Sequence, residues 1–468
     1  MRVLFTNTCY QQRVEYTSLI SVVPPLELAT CAALVRRDLP GVDVSLLDAN
    51  VLGLADAALA RRIRDLNPDV VVFWAATFAI NSVRNIVAEL SAVCEAKLVL
   101  TGSHGSALPE RTFAEIPGLD VIVRGEPEWT VLELVRSWKR GDDLERVDGI
   151  HARLDDGGRL ASTPDRAACL DLDSLPVPAR DLLPNHMYSA PWSTRVTALR
   201  TTRGCPGACR FCDSHLMVGR RTRTRAPVAV VNEMEDCAKA FGTDYFAILD
   251  HTFTARREFV EAVCEGILGR RNLRGVRWVC NTRVDMLSED LVALMRKAGC
   301  LQIGLGIESA DNARLSQVKK NITEDQIRGA IGRLKHHGII AMGYTIIGFP
   351  GDDADKIART KAKILDLDPH TLQLSFATPL PGTGLRDDCV AEDRILSDDW
   401  DDYVFLRKSI IRNEALSPSE LEALRRDIVK SFYLRPGKLA RLGWFLAARA
   451  RPSTRATFQA SLKVLRNM

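Results

Sequence analysis

The sequence predicts an α/β protein built from an N-terminal doubly wound parallel sheet, a partial (β/α)6 barrel and a helical C-terminal region. Three observations carry this. Short apolar strand runs alternate with amphipathic helical patterns in two separate series. A Pro- and Asp-rich stretch, DLDSLPVPARDLLP (171–184), stands between them. A chain of 468 residues also exceeds what one hydrophobic core organises, so two or three domains are required. The expected boundaries are 1–145 for the first unit, 146–195 for a linker, 196–385 for the barrel and 386–468 for the helical region.

In the first series the strands are RVLFT, VDVSLLDA (42–49), DVVVFWA (69–75), AKLVLTG (96–102) and DVIVRG (120–125). Helical patterns such as LELATCAALVRRDL and SVRNIVAELSAVCE separate them, which is the rhythm of a doubly wound sheet with its ligand at the carboxyl ends of the strands. Loops at those ends read NTCYQQ, WAATFAINS, TGSHGSALPE and RGEPEW. Their Gly and small polar residues suit close backbone approach to a polar, phosphate-bearing ligand. The second series runs through VTALRTTRG, YFAILDHTF, VRWVCNTRV, LQIGLGIES, IIAMGYTIIGFPG and LQLSFATPLPGT. Six strands give a partial barrel with its active site at the strand ends.

Hydrophobic content of 46% and charged content of 26% are those of a globular protein. No apolar run reaches the ~20 residues a membrane span needs. The opening MRVLFTN has no signal-peptide pattern, and twelve scattered cysteines fit a reducing compartment, so the expected location is cytoplasmic. The formal charge of +4 is uneven: from Arg425 onward, Arg425, Arg426, Lys430, Arg435, Lys438, Arg441, Arg449, Arg451, Arg455, Lys463 and Arg466 face Asp427 alone. Such an end is a solvated helical face, or contacts an anionic substrate, nucleic acid or a membrane surface. The stretch GKLARLGWFLAARARP (437–452) is the candidate for peripheral membrane contact.

The sharpest signal is RGCPGACRFCDS (203–214), directly after the first barrel strand, with Cys205, Cys209 and Cys212 spaced C-x3-C-x2-C. Thiolates hold zinc or iron–sulfur clusters. A structural zinc site closes with four protein ligands, and no fourth Cys or His follows here. Three ligands favour a [4Fe–4S] cluster with one iron left open for chemistry. The motif, with Phe211 before its last cysteine, resembles that of the radical S-adenosylmethionine (radical SAM) superfamily. The resemblance extends through LDHTF (249–253), NTRVD (281–285), GLGIES (304–309), YTIIGFPGD (344–352) and TPLPGT (378–383). It implies that SAM binds the open iron beside Phe211, Asp250, Arg283, Glu308, Ser309 and Gly348. Taken alone, Gly348 also suits a tight turn, and Arg283 and Glu308 also suit structural ion pairs. His251 is a candidate proton donor or a polar wall residue.

The N-terminal half, through PPLELATCAALVRR (24–37), TGSHGSALPE (101–110) and DVIVRGEPEWTVLELV (120–135), resembles the cobalamin-binding domain fused to one radical SAM branch. That resemblance places Thr8, Thr77, Gly102, Ser103, His104, Gly105, Gly125 and Glu126 beside cobalamin. The D-x-H-x-x-G motif of mutase-type cobalamin domains is missing after the first strand, where the chain reads NTCYQQRVEYTS, so the resemblance implies a lower cobalt face that is open or taken by another group, as is common in this branch. His104 reads as a loop residue near the cofactor.

Together the resemblances cover residues 1 to about 385 and imply a cobalamin-dependent radical SAM methyltransferase. Such an enzyme carries a methyl group from SAM through methylcobalamin to an unactivated carbon of a small, natural-product or lipid-like substrate. They also imply an external electron donor of the flavodoxin or ferredoxin type and no nucleic-acid partner. The alternative in the same branch is a non-methylating cyclisation or rearrangement. A methylthiotransferase would need a second cluster on Cys9, Cys31 and Cys94, two of which fall in helical patterns. A structural metal protein would leave the GLGIES and TIIGFPGD elements without purpose.

Overall fold

A computed structural model describes residues 1–10, 22–91, 93–154, 159–309, 311–438 and 440. Most of the loop after the first strand and the chain from 441 onward, including most of the stretch proposed for membrane contact, lie outside the described residues.

The first unit is a seven-stranded sheet of β1 (Arg2–Asn7), β2 (Asp43–Leu47), β3 (Val70–Trp74), β4 (Lys97–Thr101), β5 (Val121–Val123), β6 (Ile150–Arg153) and β7 (Leu160–Ser162). Their order is β2-β1-β3-β4-β5-β6-β7, parallel through β5 and antiparallel thereafter. Alternation along each strand sends Val3, Phe5, Val70, Val72 and Val99 to one face, under the helices Leu26–Asp38 and Pro127–Arg140. Leu4, Val71, Phe73, Leu98 and Leu100 go to the other, under Asp56–Leu66 and Ile80–Ser91. A period of two with both faces buried yields the continuous apolar runs seen in the sequence.

The second unit is a six-stranded, all-parallel sheet of β8 (Val196–Leu199), β11 (Tyr245–Ile248), β12 (Arg277–Thr282), β13 (Cys300–Glu308), β14 (Ile340–Ile347) and β15 (Thr371–Phe376), in the order β15-β14-β13-β12-β11-β8. A two-stranded antiparallel ribbon, β9 (Thr202–Arg203) with β10 (Arg223–Thr224), brackets the cysteine loop. On β13, Ile303, Leu305 and Ile307 pack outward into the helix layer. The intervening Gly304 and Gly306 keep the barrel interior open: a Cβ on Gly304 would lie 2.2 Å from Asn281 Oδ1, and one on Gly306 2.4 Å from Lys320 Nζ. The glycines of GLGIES are therefore steric requirements of the interior.

The stretch 146–195, expected as a linker, is built into both units. β6 and β7 extend the first sheet to Ser162. Beyond them, the Ala179 amide donates to Ala29 O at 3.0 Å and the Tyr188 hydroxyl to Asp48 Oδ2 at 2.8 Å. Arg180, fully buried, meets Glu233 at 2.6 Å and Ala198 O at 2.7 Å. Its Pro and Asp residues signal the absence of regular structure, and burial supplies the order.

The region after 385 is helical only in part, with helices Gly384–Ala391 and Pro418–Tyr433 flanking irregular chain. Ser417 and Glu420 form a capping box, with Pro418 in the first turn, and so fix where the last described helix begins. The irregular chain clasps the first unit through Trp400. Its indole Nε1 donates to Glu115 at 2.6 Å, its ring meets His104 edge-on at 4.6 Å, and the Arg111 guanidinium lies 4.3 Å from its centre. Trp400→Ala is expected to cost about 3–5 kcal/mol, the usual loss for truncating a buried tryptophan. Denaturant unfolding of the variant checks this, with the midpoint falling and the first unit losing protection.

Candidate active site between the two sheets

The cysteine loop is held at both ends. Gly204 sits at φ +92, and a Cβ there would lie 2.1 Å from Arg221 O, so only glycine lets the β9–β10 ribbon close beneath the loop. The Cys205 amide donates to Gly219 O at 3.2 Å, Arg210 N to Val318 O at 3.0 Å, and Leu385 N to Arg210 O at 2.8 Å. Gly207 lies where a Cβ would be 3.4 Å from Cys205 Sγ and 3.7 Å from Cys209 Sγ, so those two thiols share one side of the loop. Cys212 Sγ contacts Ser214 Oγ at 3.2 Å. Burial pushes the Cys212 thiol up to about 11 and the Cys209 thiol above its ordinary range, the latter opposed by Lys320. Thiols so placed give up their protons to a metal rather than to water.

The barrel residues divide by what their side chains already do. Glu308 stands in the left-handed region at φ +57, at a register shift between β13 and β14, and its Oε1 accepts from Lys320 Nζ at 2.8 Å. Against the cost of burial, Glu308 and neighbouring Cys209 hold the Lys320 ammonium above its ordinary pKa. Arg283 lies 3.5 Å from the position a Gly207 Cβ would take, and pairs with Asp285 at 2.9 Å. Glu308, Lys320 and Arg283 therefore surround the thiols. Ser309 is buried one residue on, and its Oγ accepts from Asp311 N at 3.1 Å. Phe211 packs against Phe349 at 6.2 Å. Gly348, at φ +80, directs its amide to Asp352 Oδ2 at 2.9 Å and its vacant Cβ side toward Leu421.

Asp250 follows β11 and is buried. Its buried carboxylate accepts from Thr201 N at 2.8 Å and from Thr201 Oγ1 at 2.5 Å, locking the end of β8. The residue of that strand end that lines the open space is His251.

In the first sheet Gly102 is held at φ +119, with a Cβ clashing at 2.2 Å with Ala75 O, and Gly105 closes on Ile122. This close approach draws the β3 and β4 loops together and brings Trp74, Ala76 and Ser103 to one rim. Thr8 and Thr77 are buried at the same strand ends. Two expectations change here. His104 turns away from the rim: its Nδ1 contacts Thr77 Oγ1 at 3.4 Å and its ring lies on Trp400. Burial pushes its pKa down to about 3. Glu126 is spent on arginine, meeting Arg223 at 2.5 Å and Arg203 at 3.3 Å. Gly125, at φ +65, turns the chain into that contact.

Glu126 belongs to a buried network that spans the two units. Glu128, in the first turn of helix Pro127–Arg140, takes Arg203 at 2.5 Å and 3.0 Å. A second crossing pairs Glu27 with Arg200, which also donates to Leu249 O at 2.6 Å. Of these six residues the sequence singled out only Glu126; Arg223 is one of the alternating arginines of GRRTRTR, and Glu128 is the second carboxylate of GEPE. The network frames a cavity of about 330 Å³ lined by Trp74, Ala76 and Ser103 from the first sheet and by Cys212, Asp213 and His251 from the barrel.

Comparison with known proteins agrees with this geometry. Residues 199–364 match the radical SAM superfamily and residues 16–135 the B12-binding domain. The chain is 30% identical over 414 residues to an uncharacterized methyltransferase of Pyrococcus horikoshii, covering 88% of each. The chain belongs to the cobalamin-binding radical SAM enzyme family. It is also 32% identical over 429 residues to the anaerobic magnesium-protoporphyrin IX monomethyl ester cyclase of Rubrivivax gelatinosus, covering 90% of this chain and 75% of that one. The solved radical SAM methyltransferase TsrM of Kitasatospora setae, with cobalamin and a [4Fe–4S] cluster bound, superposes with a TM-score of 0.67 at 18% identity, over 84% of this chain and 75% of TsrM. At that identity the likeness is one of fold.

As a member of this family the protein uses a [4Fe–4S] cluster, SAM and cobalamin. The residues present fit them. One loop carries all three thiols, two of them beside a residue without a side chain, and the first sheet offers a rim cleared by the Gly102 turn. No helix among the described residues is long and apolar enough to cross a membrane.

Two outcomes follow. Replacing Cys205, Cys209 or Cys212 with Ala should strip iron from the anaerobically reconstituted protein, measured as iron and sulfide per chain, while far-ultraviolet circular dichroism is retained. His104 has a folded pKa far below the ~6.5 of an unfolded histidine, so the unfolded state binds the extra proton. Its contribution is intact above that value and is lost as pH falls toward about 3. Chemical denaturation between pH 7 and 5 should show a shallower loss of stability in His104→Phe than in the parent protein.

Proposed function

We propose that this protein transfers a methyl group from SAM, by way of cobalamin, to an unactivated carbon of a small molecule. The observation that supports this reading best is the shared cavity, because one cleft is bordered both by the cysteine loop and by the carboxyl ends of the first sheet. When bound, the cluster with SAM supplies a carbon-centred radical and cobalamin supplies the methyl group.

The chain's own residues do the rest. Cys205, Cys209 and Cys212 hold the cluster; Glu308, Ser309, Arg283 and the Gly348 turn line the place for SAM. Thr8, Thr77, Gly102, Ser103 and Gly105 shape the seat for cobalamin. Leu26, Trp74, Pro127, Met217 and Val218 give the cavity apolar walls that keep water from a reactive carbon radical. The arginines at its edge are answered by Glu27, Glu126 and Glu128, leaving His251 as an ionisable wall group of the barrel free of such a pairing. A charge-compensated cleft with mostly apolar walls suits a neutral, largely apolar substrate of the natural-product or lipid class.

A second reading, a non-methylating cyclisation, is favoured by the likeness to the cyclase of Rubrivivax gelatinosus. Product analysis separates the two. Methyl transfer yields S-adenosylhomocysteine and 5′-deoxyadenosine in equal amounts per turnover, with label from methyl-labelled SAM entering the product. Turnover that forms 5′-deoxyadenosine without S-adenosylhomocysteine would establish the cyclisation instead.

A further inference from the structure

The helix layer of the barrel carries a second group of metal-ligating side chains, apart from the cysteine loop. Glu289 opens the helix Glu289–Lys297, His336 closes the helix Glu324–His336, and His337 caps it. A carboxylate oxygen of Glu289 and one ring nitrogen of each histidine all lie within 4.8 Å of one another. His337 Nε2 is 2.6 Å from Glu289 Oε1, and the two imidazoles meet edge-on with their centres 4.8 Å apart.

Successive side chains on a regular helix diverge by about 100°, so neighbouring imidazoles do not ordinarily face one ligand. Here the helix end brings them together. Gly338 stands at φ +67, its amide donates to Lys335 O at 3.1 Å, and the Ile339 amide reaches back to Leu334 O at 2.9 Å. These two bonds form a Schellman turn, in which His337, at φ −86 and ψ 5, leaves the helical path. Leu334 and Ile339 pin the turn to the barrel core, and Leu291, Val292 and Met295 pin the helix of Glu289 to the same core. The three donors therefore hang from backbone that packing has already fixed, which leaves a ligand little to order. The negative end of the helix dipole at His336 favours a cation. Lys335 points away, to Leu367 O and Asp368. Arg296, whose Nε is 3.9 Å from the position of a Gly338 Cβ, works against binding, but it is exposed and its charge is screened by water.

We propose that Glu289, His336 and His337 bind a divalent cation of the zinc type, which clips the two helices together. Two imidazole nitrogens and a carboxylate oxygen, with water in the fourth position, are a zinc donor set. Donors around tetrahedral zinc stand ~3.3 Å apart, within reach of small side-chain rotations from the spacing observed. The cation takes the place of the proton between His337 Nε2 and Glu289; that proton passes to Nδ1 or to water, and nothing is oxidised or reduced. A surface ion pair accounts for His337 and Glu289 alone, whereas the His336 ring turns toward them without a hydrogen bond of its own among the described residues. The three residues are open to water and none borders the cavity between the sheets, so the ion stabilises the barrel and takes no part in the reaction.

The test uses the protein with its cluster and cobalamin in place, so that the thiols of the cysteine loop are already taken. It is dialysed to equilibrium against zinc chloride; zinc, iron and sulfide per chain are measured, and thermal unfolding is followed with and without zinc. The variants are His336→Gln with His337→Gln and, separately, Glu289→Gln; His186→Gln, at another exposed histidine, is the control. Expected are one zinc per chain at micromolar free zinc, a higher unfolding temperature in its presence, and an affinity lower by about tenfold or more in both variants, with iron and sulfide unchanged. Equal zinc binding by the variants, or a loss as large in His186→Gln, would overturn the site. So would binding only at millimolar zinc, which marks an adventitious ion only, and zinc gained at the expense of iron, which places it on the cysteines. Zinc binding that leaves the unfolding temperature unmoved would overturn the clip, since an ion held only by the folded chain must stabilise it.

Discussion

The site depends on a set of charges buried where the two units meet. Arg203 and Arg223 come from the ribbon that brackets the cysteine loop, Glu126 and Glu128 from the N-terminal end of a helix in the first sheet. Removing one partner from such a pair leaves an uncompensated charge in a low dielectric, at a cost of about 3–5 kcal/mol. The four residues therefore tolerate one relative placement of the units. The carboxylates gain further from standing at a helix N-terminus, where unpaired amides and the helix dipole favour negative charge. Because the arginines belong to the cysteine loop's own supports, this contact fixes the loop beside the first sheet, with Cys212 at the cavity between them.

Other contacts act in the same sense from the periphery. Arg200 crosses to Glu27 on the opposite wall of the cavity, and Trp400 reaches from beyond the barrel to His104 and Glu115. The wedge at Arg180 and Tyr188 fills the space on the side away from the opening. Polar groups alone would not hold the units. The apolar faces beneath them exclude the water that would otherwise screen each pair. A cleft whose walls are held in this way suits radical chemistry, which demands fixed distances between the reacting groups.

Much of this was legible along the chain, for identifiable reasons. The two strand series were visible because a strand buried on both faces must be continuously apolar, as in Val70–Trp74. The cysteine loop was visible because metal ligation by a single loop is a local matter of spacing. Glu308 stood out because a carboxylate at the end of an apolar strand needs a partner, which proved to be Lys320. The partners of Asp250, His104 and Glu126, which are Thr201, Trp400 and Arg223, were not legible in their spacing. Sequence position locates a segment; which way a side chain turns depends on atoms far away in the chain.

The sequence by itself determined the element order, the three-thiol loop and the glycines that keep the barrel interior clear, since all of these follow from local periodicity and steric exclusion. Only the tertiary structure decided which carboxylates face arginines, that the Pro-rich stretch is a buried wedge, and that the open space lies between the sheets rather than within either. Those outcomes rest on pairings between residues 53 to 285 positions apart, such as Arg180 with Glu233, Arg203 with Glu128 and Trp400 with Glu115. The energy of such a pairing depends on burial and distance in space, and neither is written in the spacing of residues along the chain.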